Sequence, residues 1–221
     1  MRLAMLILTL PAVAAAEPIS LTSTADAPTY EVGIRVGGYG FRRDGDPRPG
    51  EGWTECRMNG FGVFGGRALT GPLFLEAGLD LYSTATGPIG PASTDLPIDR
   101  TSGLVSSAIG VRTQVTSWLR GYVQLGAGVE LTRVSVPYGD MRIRDSKLLP
   151  EGFFGAGLDL RIAKGTYIGS SVRALVMGNF DYDANKLDTS MGWTSPPPAS
   201  EVFAASAGVA AQAQFYVRHD L

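Results

Sequence analysis

Apolar residues recur at every second position in eight separate stretches of this chain, and that period is the pleat of a β-strand, whose successive side chains face opposite sides of a sheet. From Tyr30 to Gly40, one face holds Tyr30, Val32, Ile34 and Val36, the other Glu31, Gly33, Arg35, Gly37 and Tyr39. Leu73, Leu75, Ala77, Leu79 and Leu81 oppose Phe74, Glu76, Gly78 and Asp80, and Val105, Ile109, Val111 and Val115 oppose Ser106, Gly110, Arg112 and Gln114. The next segment sets Leu119, Val123, Leu125, Ala127, Val129 and Leu131 against Arg120, Tyr122, Gln124, Gly126 and Glu130. Phe154, Ala156, Leu158, Leu160 and Ile162 then oppose Gly155, Gly157, Asp159 and Arg161, and Ile168, Val172, Ala174, Val176 and Phe180 oppose Ser171, Arg173, Met177 and Asn179. The last strand sets Phe203, Ala205, Val209, Ala211, Ala213, Phe215 and Val217 against Ser206, Gly208, Gln212, Gln214, Tyr216 and Arg218. The second, around Gly60 to Leu69, is the weakest: Phe61 and Val63 share a face with Arg67, and Phe64 falls on the other.

Beyond its first residues the chain has no apolar run of the roughly 18 residues that a spanning helix requires, so it either crosses a membrane as strands or is soluble. Met1-Arg2, the apolar run Leu3–Val13 interrupted by Thr9 and Pro11, and Ala14-Ala15-Ala16 before Glu17 read as a secretory signal peptide cut after Ala16. The expected organisation is a signal peptide over 1–16, a short arm over 17–29 and one barrel over 30–221. A formal charge of −2 with no basic stripe excludes nucleic acid as the expected partner. Cys56, the lone cysteine, cannot form an internal disulfide and is expected as an unpaired loop thiol.

Connection lengths alternate. Short joins fall near Thr70-Gly71-Pro72, Thr116-Ser117-Trp118 and Ala163-Lys164-Gly165, and long ones run over Arg42–Asn59, Ser83–Ser102, Ser135–Pro150 and Asp181–Ser200. Spanning barrels join their strands in this way, with short turns on one side and longer loops on the other. In hydrocarbon an unpaired strand edge leaves backbone groups unsatisfied, so the sheet must close, and eight strands enclose a space about wide enough for side chains to fill. The expected fold is therefore all-β, a closed antiparallel eight-stranded up-and-down barrel. Val134–Leu148 keeps some alternation, so the third long hairpin is expected to protrude as an arm with a pairing edge.

Folded inward, the polar faces bring together Glu31, Glu76, Asp80, Glu130 and Asp159 with Arg35, Arg112, Arg120, Arg161, Arg173 and Arg218. An arginine–carboxylate network filling the lumen is expected, because bidentate guanidinium pairing suits a crowded interior and isolated buried charges are costly.

On these strands, connections and inward charges, the chain resembles the small eight-stranded outer-membrane barrels, the OmpA transmembrane domain and OmpX-like proteins. The resemblance implies a location in the bacterial outer membrane, contact with its lipid and lipopolysaccharide, and insertion by the barrel assembly machinery. Such barrels end in an aromatic residue, whereas this sequence ends His219-Asp220-Leu221, with Leu221 on the outward parity of Phe215 and Val217. With no peptidoglycan-binding segment after the barrel, a cell-wall anchoring role is not expected.

No catalytic, cofactor or metal site is expected. Gly60-x-Gly62-x-x-Gly65 matches a dinucleotide fingerprint by letters, but it lies within a strand followed by another strand, where a helix is required. Its glycines are expected to allow curvature or make room for large lumen side chains. His219, the only histidine, falls on the outer surface at the short-turn rim, away from the long loops where serine–histidine chemistry would sit. Asp181-x-Asp183-x-Asn185 begins like a calcium loop, but Lys186 and Gly192 replace the turn glycine and the bidentate glutamate. Asp140 and Asp145 are candidates for ion-bridged contact with lipopolysaccharide. Tyr30 and Phe215 at one end and Phe180 at the other are expected outward as interfacial anchors. The leading functional expectation is a non-enzymatic envelope protein that presents its loops to an unknown surface partner. A narrow porin-like channel for small solutes and a soluble lipocalin-like barrel remain alternatives.

Overall fold

A computed structural model describes residues 30–41, 56–84, 99–138, 140–182 and 198–221. The strands are β1 (Tyr30–Phe41), β2 (Cys56–Ala68), β3 (Leu73–Thr84), β4 (Asp99–Gln114), β5 (Leu119–Tyr138), β6 (Met141–Ala163), β7 (Thr166–Tyr182) and β8 (Phe203–Asp220), with a one-turn helix α1 (Ala199–Val202) before β8. Each pairs antiparallel with its sequence neighbours, and β1 pairs with β8 from Glu31↔Asp220 to Phe41↔Ala210, so the sheet closes into a barrel without a free edge along its wall. Gly71 (φ 67°) and Gly165 (φ 70°) make the left-handed bends of two short turns, a conformation that glycine enters without a Cβ penalty.

Alternation decides which face meets what. Ile34, Phe61, Leu79, Val105, Leu125, Phe154, Val172 and Phe215, one from each strand, are 46–66% exposed. Between them on the same strands, Arg35, Phe64, Asp80, Leu104, Gln124, Phe153, Ser171 and Tyr216 are buried. A continuous apolar girdle is far larger than the patches soluble proteins expose. It also faces opposite to the soluble, apolar-inside alternative. The ambiguity of β2 resolves the same way: Phe61 and Val63 join the girdle, Phe64 is a lumen residue, and Arg67 sits at the short-turn rim with its guanidinium 5.5 Å from the Tyr30 ring.

Several connections are shorter than the sequence suggested. Cys56 opens β2 opposite Phe41, so its backbone belongs to the sheet and not to a loop. Asp99 and Arg100 belong to β4, and pairing continues along the third long hairpin to Tyr138↔Met141. At 20 and 23 residues, β5 and β6 far exceed the roughly 9–11 that cross a bilayer. β7 reaches β6 only at Glu151, so among the described residues Met141–Pro150 has its second edge unpaired. This edge carries Arg142, Arg144, Asp145, Lys147 and Pro150, the residue types that discourage edge pairing.

Phe180 is not an outward anchor. It is 2% exposed and packs with Val134, Val136, Ile143, Leu149, Val202 and Phe203. Its ring centroid lies 5.5 Å from that of Phe203. Val134, Val136, Ile143 and Leu149 have lumen parity, so the upper part of the hairpin leans over the barrel and its inner face builds an apolar cap. Burying Phe180 there removes more apolar surface from water than an interfacial position would. The signal-peptide and arm segments, 1–29, and Asp183 and Asn185 of the calcium-like run lie outside the described residues.

Candidate functional site: the barrel lumen

The lumen is layered. At the short-turn end, Arg112 grips Glu31 with two hydrogen bonds of 2.9 Å, and Arg218 reaches the same carboxylate at 3.5 Å. Arg218 also donates to Asp159, which accepts from the Tyr216 hydroxyl at 2.6 Å. Arg120 stacks 3.4 Å from the Tyr167 ring centroid and lies 3.9 Å from Asp159 and 3.5 Å from Asp220. Above this floor comes an aromatic layer of Phe64, Phe74, Tyr122 and Tyr216, packed edge to face at 5.8 Å in the pairs Phe64–Tyr216 and Phe74–Tyr122.

The middle layer is ionic again. Arg35 donates Nε and Nη2 to the two oxygens of Asp80, both at 2.6 Å, and Nη1 to Glu76 at 2.9 Å. Arg173 donates to Glu76 at 3.1 Å, and the Gln124 carbonyl, in the amide orientation that satisfies both partners, accepts from Arg173 Nη2 and Nε at 2.9 and 3.0 Å. Fork-on-carboxylate geometry is the strongest ion pairing a protein makes and needs the planar guanidinium that lysine lacks. Higher still, Tyr39, Met58, Tyr82, Leu104, Phe153, Leu175 and Met177 pack together below the apolar cap.

Six lumen rings lie over glycines directly opposite them on the neighbouring strand: Phe64 over Gly33, Tyr82 over Gly60, Phe74 over Gly110, Phe153 over Gly126, Tyr122 over Gly157 and Tyr216 over Gly169. Gly62 and Gly78 make the same room for Asp80 and for the Arg35 guanidinium. Gly60 and Gly62 of the apparent dinucleotide fingerprint are thus spacers, whereas Gly65 has the outward parity of Phe61 and Val63 and its nearest neighbour, the Glu31 carbonyl, at 3.6 Å. A Cβ at Gly157 would stand 2.5 Å from Tyr122 Cζ, whereas outward Gly152 has its nearest neighbour at 4.0 Å. Gly157→Val is expected to lower stability by about 1–3 kcal/mol, the usual cost of overpacking. Gly152→Ala should leave the denaturant midpoint of the refolded protein nearly unchanged.

Ten of the eleven charged residues named from the sequence lie on the lumen side. Arg161 does not. It faces Tyr167 in register but is exposed, because the ladder shifts between Arg161 and Ala163 at the turn and its Nε reaches the Ala163 carbonyl at 3.4 Å. Water at the barrel rim solvates a guanidinium more cheaply than a further buried site. Glu130 is inside but pairs with no arginine among the described residues. Tyr39 and Thr132 donate to its Oε1 at 2.9 and 3.1 Å, and its Oε2 has no partner there.

Sequence reasoning missed three lumen groups. Arg100 is buried and donates to the Phe180 carbonyl under the cap, Glu151 is buried diagonally from Glu130, and Tyr167 lines the floor. Arg100-x-Ser102-x-Leu104 and Glu151-x-Phe153-x-Gly155 carry the lumen parity of their strands, and that was the available signal. His219 is outward, with Nδ1 2.9 Å from the Thr166 hydroxyl. Among the described residues no cluster of His, Cys, Asp and Glu has the arrangement of a metal site.

No protein-family model matches the sequence. No curated protein matches it either. Among solved structures, the chain is similar to Neisserial surface protein A (TM-score 0.55, 13% identity, 88% of this chain and 99% of that one). It is also similar to a major outer membrane protein from Thermus thermophilus (TM-score 0.54, 8% identity, 89% and 100%). A looser likeness, at TM-score 0.45 and 15% identity over 88% and 97% of the two chains, is to Ail, the attachment invasion locus protein of Yersinia pestis. A closed ring of antiparallel strands with an apolar exterior and a charged, filled interior can rest only in hydrocarbon. The chain has the fold of the small outer-membrane β-barrels, and its girdle places it in a bacterial outer membrane.

Proposed function

We propose that this protein is a non-conducting, non-enzymatic outer-membrane barrel whose work is done at its external end, by stabilising the membrane or presenting its loops and the β5–β6 hairpin to a surface partner. The observation that carries this reading is the succession of lumen layers, with ionic floor, aromatic layer, ionic middle and apolar cap built from buried residues and only Arg112, Arg120, Glu76 and Asp220 among the paired charges partly exposed. An ion crossing such a lumen would have to displace bidentate pairs and part an apolar cap, and hydrophobic constrictions exclude water and ions. Insertion by the barrel assembly machinery and contact with outer-leaflet lipid belong to the same reading.

Planar-bilayer recording of the refolded protein tests it. Expected is a quiet membrane, with at most brief small openings. Large, steady single-channel currents would mean that the lumen is open and favour the narrow-channel alternative, in which case Arg112→Gln or Glu76→Gln should alter ion selectivity.

A further inference from the structure

The outer face of the β5–β6 hairpin carries a feature that the plugged barrel does not need. On β5, Leu131 is the last outward apolar residue, and Arg133 follows two residues further out. On β6, Leu148 is the corresponding residue, and Arg144 and Arg142 lie beyond it. Thr101 and Asp99 of β4 stand beside Arg133 and Ser135 in register. Asp99, Thr101, Arg133, Ser135, Arg142 and Arg144 line a shallow pocket of about 310 Å³.

Within this pocket the arginines are not equivalent. Arg142 is committed, donating Nε to Ser135 at 2.9 Å and Nη2 to Asp99. Arg133 and Arg144 are exposed and have no ion-pair or hydrogen-bond partner among the described residues. Arg133 is opposite Ser146 and Arg144 opposite Ser135, so the two are diagonal neighbours on one face. Diagonal positions lie about 7–8 Å apart, within joint reach of one anion for side chains of this length. Three arginines against one aspartate leave two uncompensated positive charges.

Height selects the anion. At about 3.4 Å per residue and a tilt near 45°, Arg133 stands roughly 5 Å and Arg144 roughly 10 Å above the last apolar row. The polar headgroup region begins there and is about 5–8 Å thick on each side, so Arg133 lies within it and Arg144 at its outer margin, where a long guanidinium side chain can still reach a headgroup. On β3 and β8 the outward residues at this level, Ser83, Ala205 and Ala207, are uncharged. Arg133 and Arg144 thus stand as a diagonal pair on the hairpin itself. We infer that Arg133 and Arg144, braced by the Arg142–Asp99–Ser135 contact, form a site for the phosphate of an outer-leaflet glycolipid, the lipid A part of lipopolysaccharide, with its acyl chains lying against Leu131 and Leu148. Guanidinium forks match phosphate oxygens, and their stems lie along apolar surface. Asp140 and Asp145, the acids first considered for ion-bridged contact, are not part of this site: Asp140 lies in the hairpin turn, and Asp145, on the opposite parity from the arginines, caps the Ser146 amide at 2.7 Å.

The test uses the full refolded chain in an uncharged detergent, with bis-phosphorylated and dephosphorylated lipid A as probes and bound lipid counted by native mass spectrometry. Wild type should hold the phosphorylated lipid about tenfold more tightly than the dephosphorylated one, roughly one charge-assisted contact. Arg133→Gln/Arg144→Gln should erase that preference while leaving dephosphorylated lipid A unchanged, and Arg161→Gln at the opposite rim should change neither. Millimolar inorganic phosphate should not displace the lipid, since it lacks the apolar contact. Equal retention of phosphorylated lipid A by wild type and the double variant would overturn the site. So would an equal loss of both lipids, or a preference for a soluble sulfated polysaccharide that competes lipid A away. None of these outcomes depends on whether the lumen conducts.

Discussion

Replacing Arg35 by alanine is expected to destabilise the refolded barrel by about 3–5 kcal/mol, the cost of leaving a buried charge without its partner. Arg35 holds both oxygens of Asp80 and one of Glu76, and its side chain and that of Asp80 are 3% and 1% exposed. The two acids fare differently once the guanidinium is gone. Glu76 keeps Arg173, whereas Asp80 has no second cation among the described residues. Arg35→Ala/Asp80→Asn should therefore recover much of the loss, and Arg35→Lys, a point charge without the fork, only part of it. Reversible denaturant unfolding in detergent at neutral pH, read as a double-mutant cycle, measures this coupling directly. Full additivity of the Arg35 and Asp80 substitutions would mean that the ionic layer contributes no pairing energy.

Outside the barrel the largest effect is expected from a charge placed in the girdle. Leu125 lies halfway along the apolar part of β5, 62% exposed, and Leu131 lies at its external limit. Leu125→Arg should cost about 2–4 kcal/mol in the equilibrium for folding into phosphatidylcholine vesicles, and Leu131→Arg at most about 1 kcal/mol, since the penalty falls with distance from the midplane. That gradient is specific to hydrocarbon. In a soluble protein two equally exposed leucines would accept arginine equally well, so identical effects at the two positions would contradict the membrane girdle.

Much of this architecture was legible because a spanning strand must obey one rule along its whole length. Ile34 and Arg35, or Leu125 and Gln124, announce their faces by parity alone, and closure followed from the solvent. The failures cluster where that solvent changes. Arg161 and Phe180 continue the parity of their strands on paper, but Arg161 sits at a register shift where water is available, and Phe180 lies beyond the girdle, where an apolar cap outcompetes the interface. Cys56, Arg100 and Glu151 were hidden by turn-like neighbours that masked strand ends extending past the membrane. The pairing of six lumen rings with cross-strand glycines depends on register, which one strand's pattern does not carry. The same holds for the arginine face of the hairpin, which exists only once β5 and β6 are aligned.

Inside and outside can be distinguished by one measurement on residues of the same chemical type. Methyl NMR of the protein in lipid nanodiscs, with a nitroxide on the lipid acyl chains, should broaden the methyl signals of Leu79, Leu125 and Val172 and leave those of Leu104 and Leu175 sharp. Equal broadening of Leu104 and Leu175, or sharp signals from the first three, would show that hydrocarbon does not surround the face assigned to it.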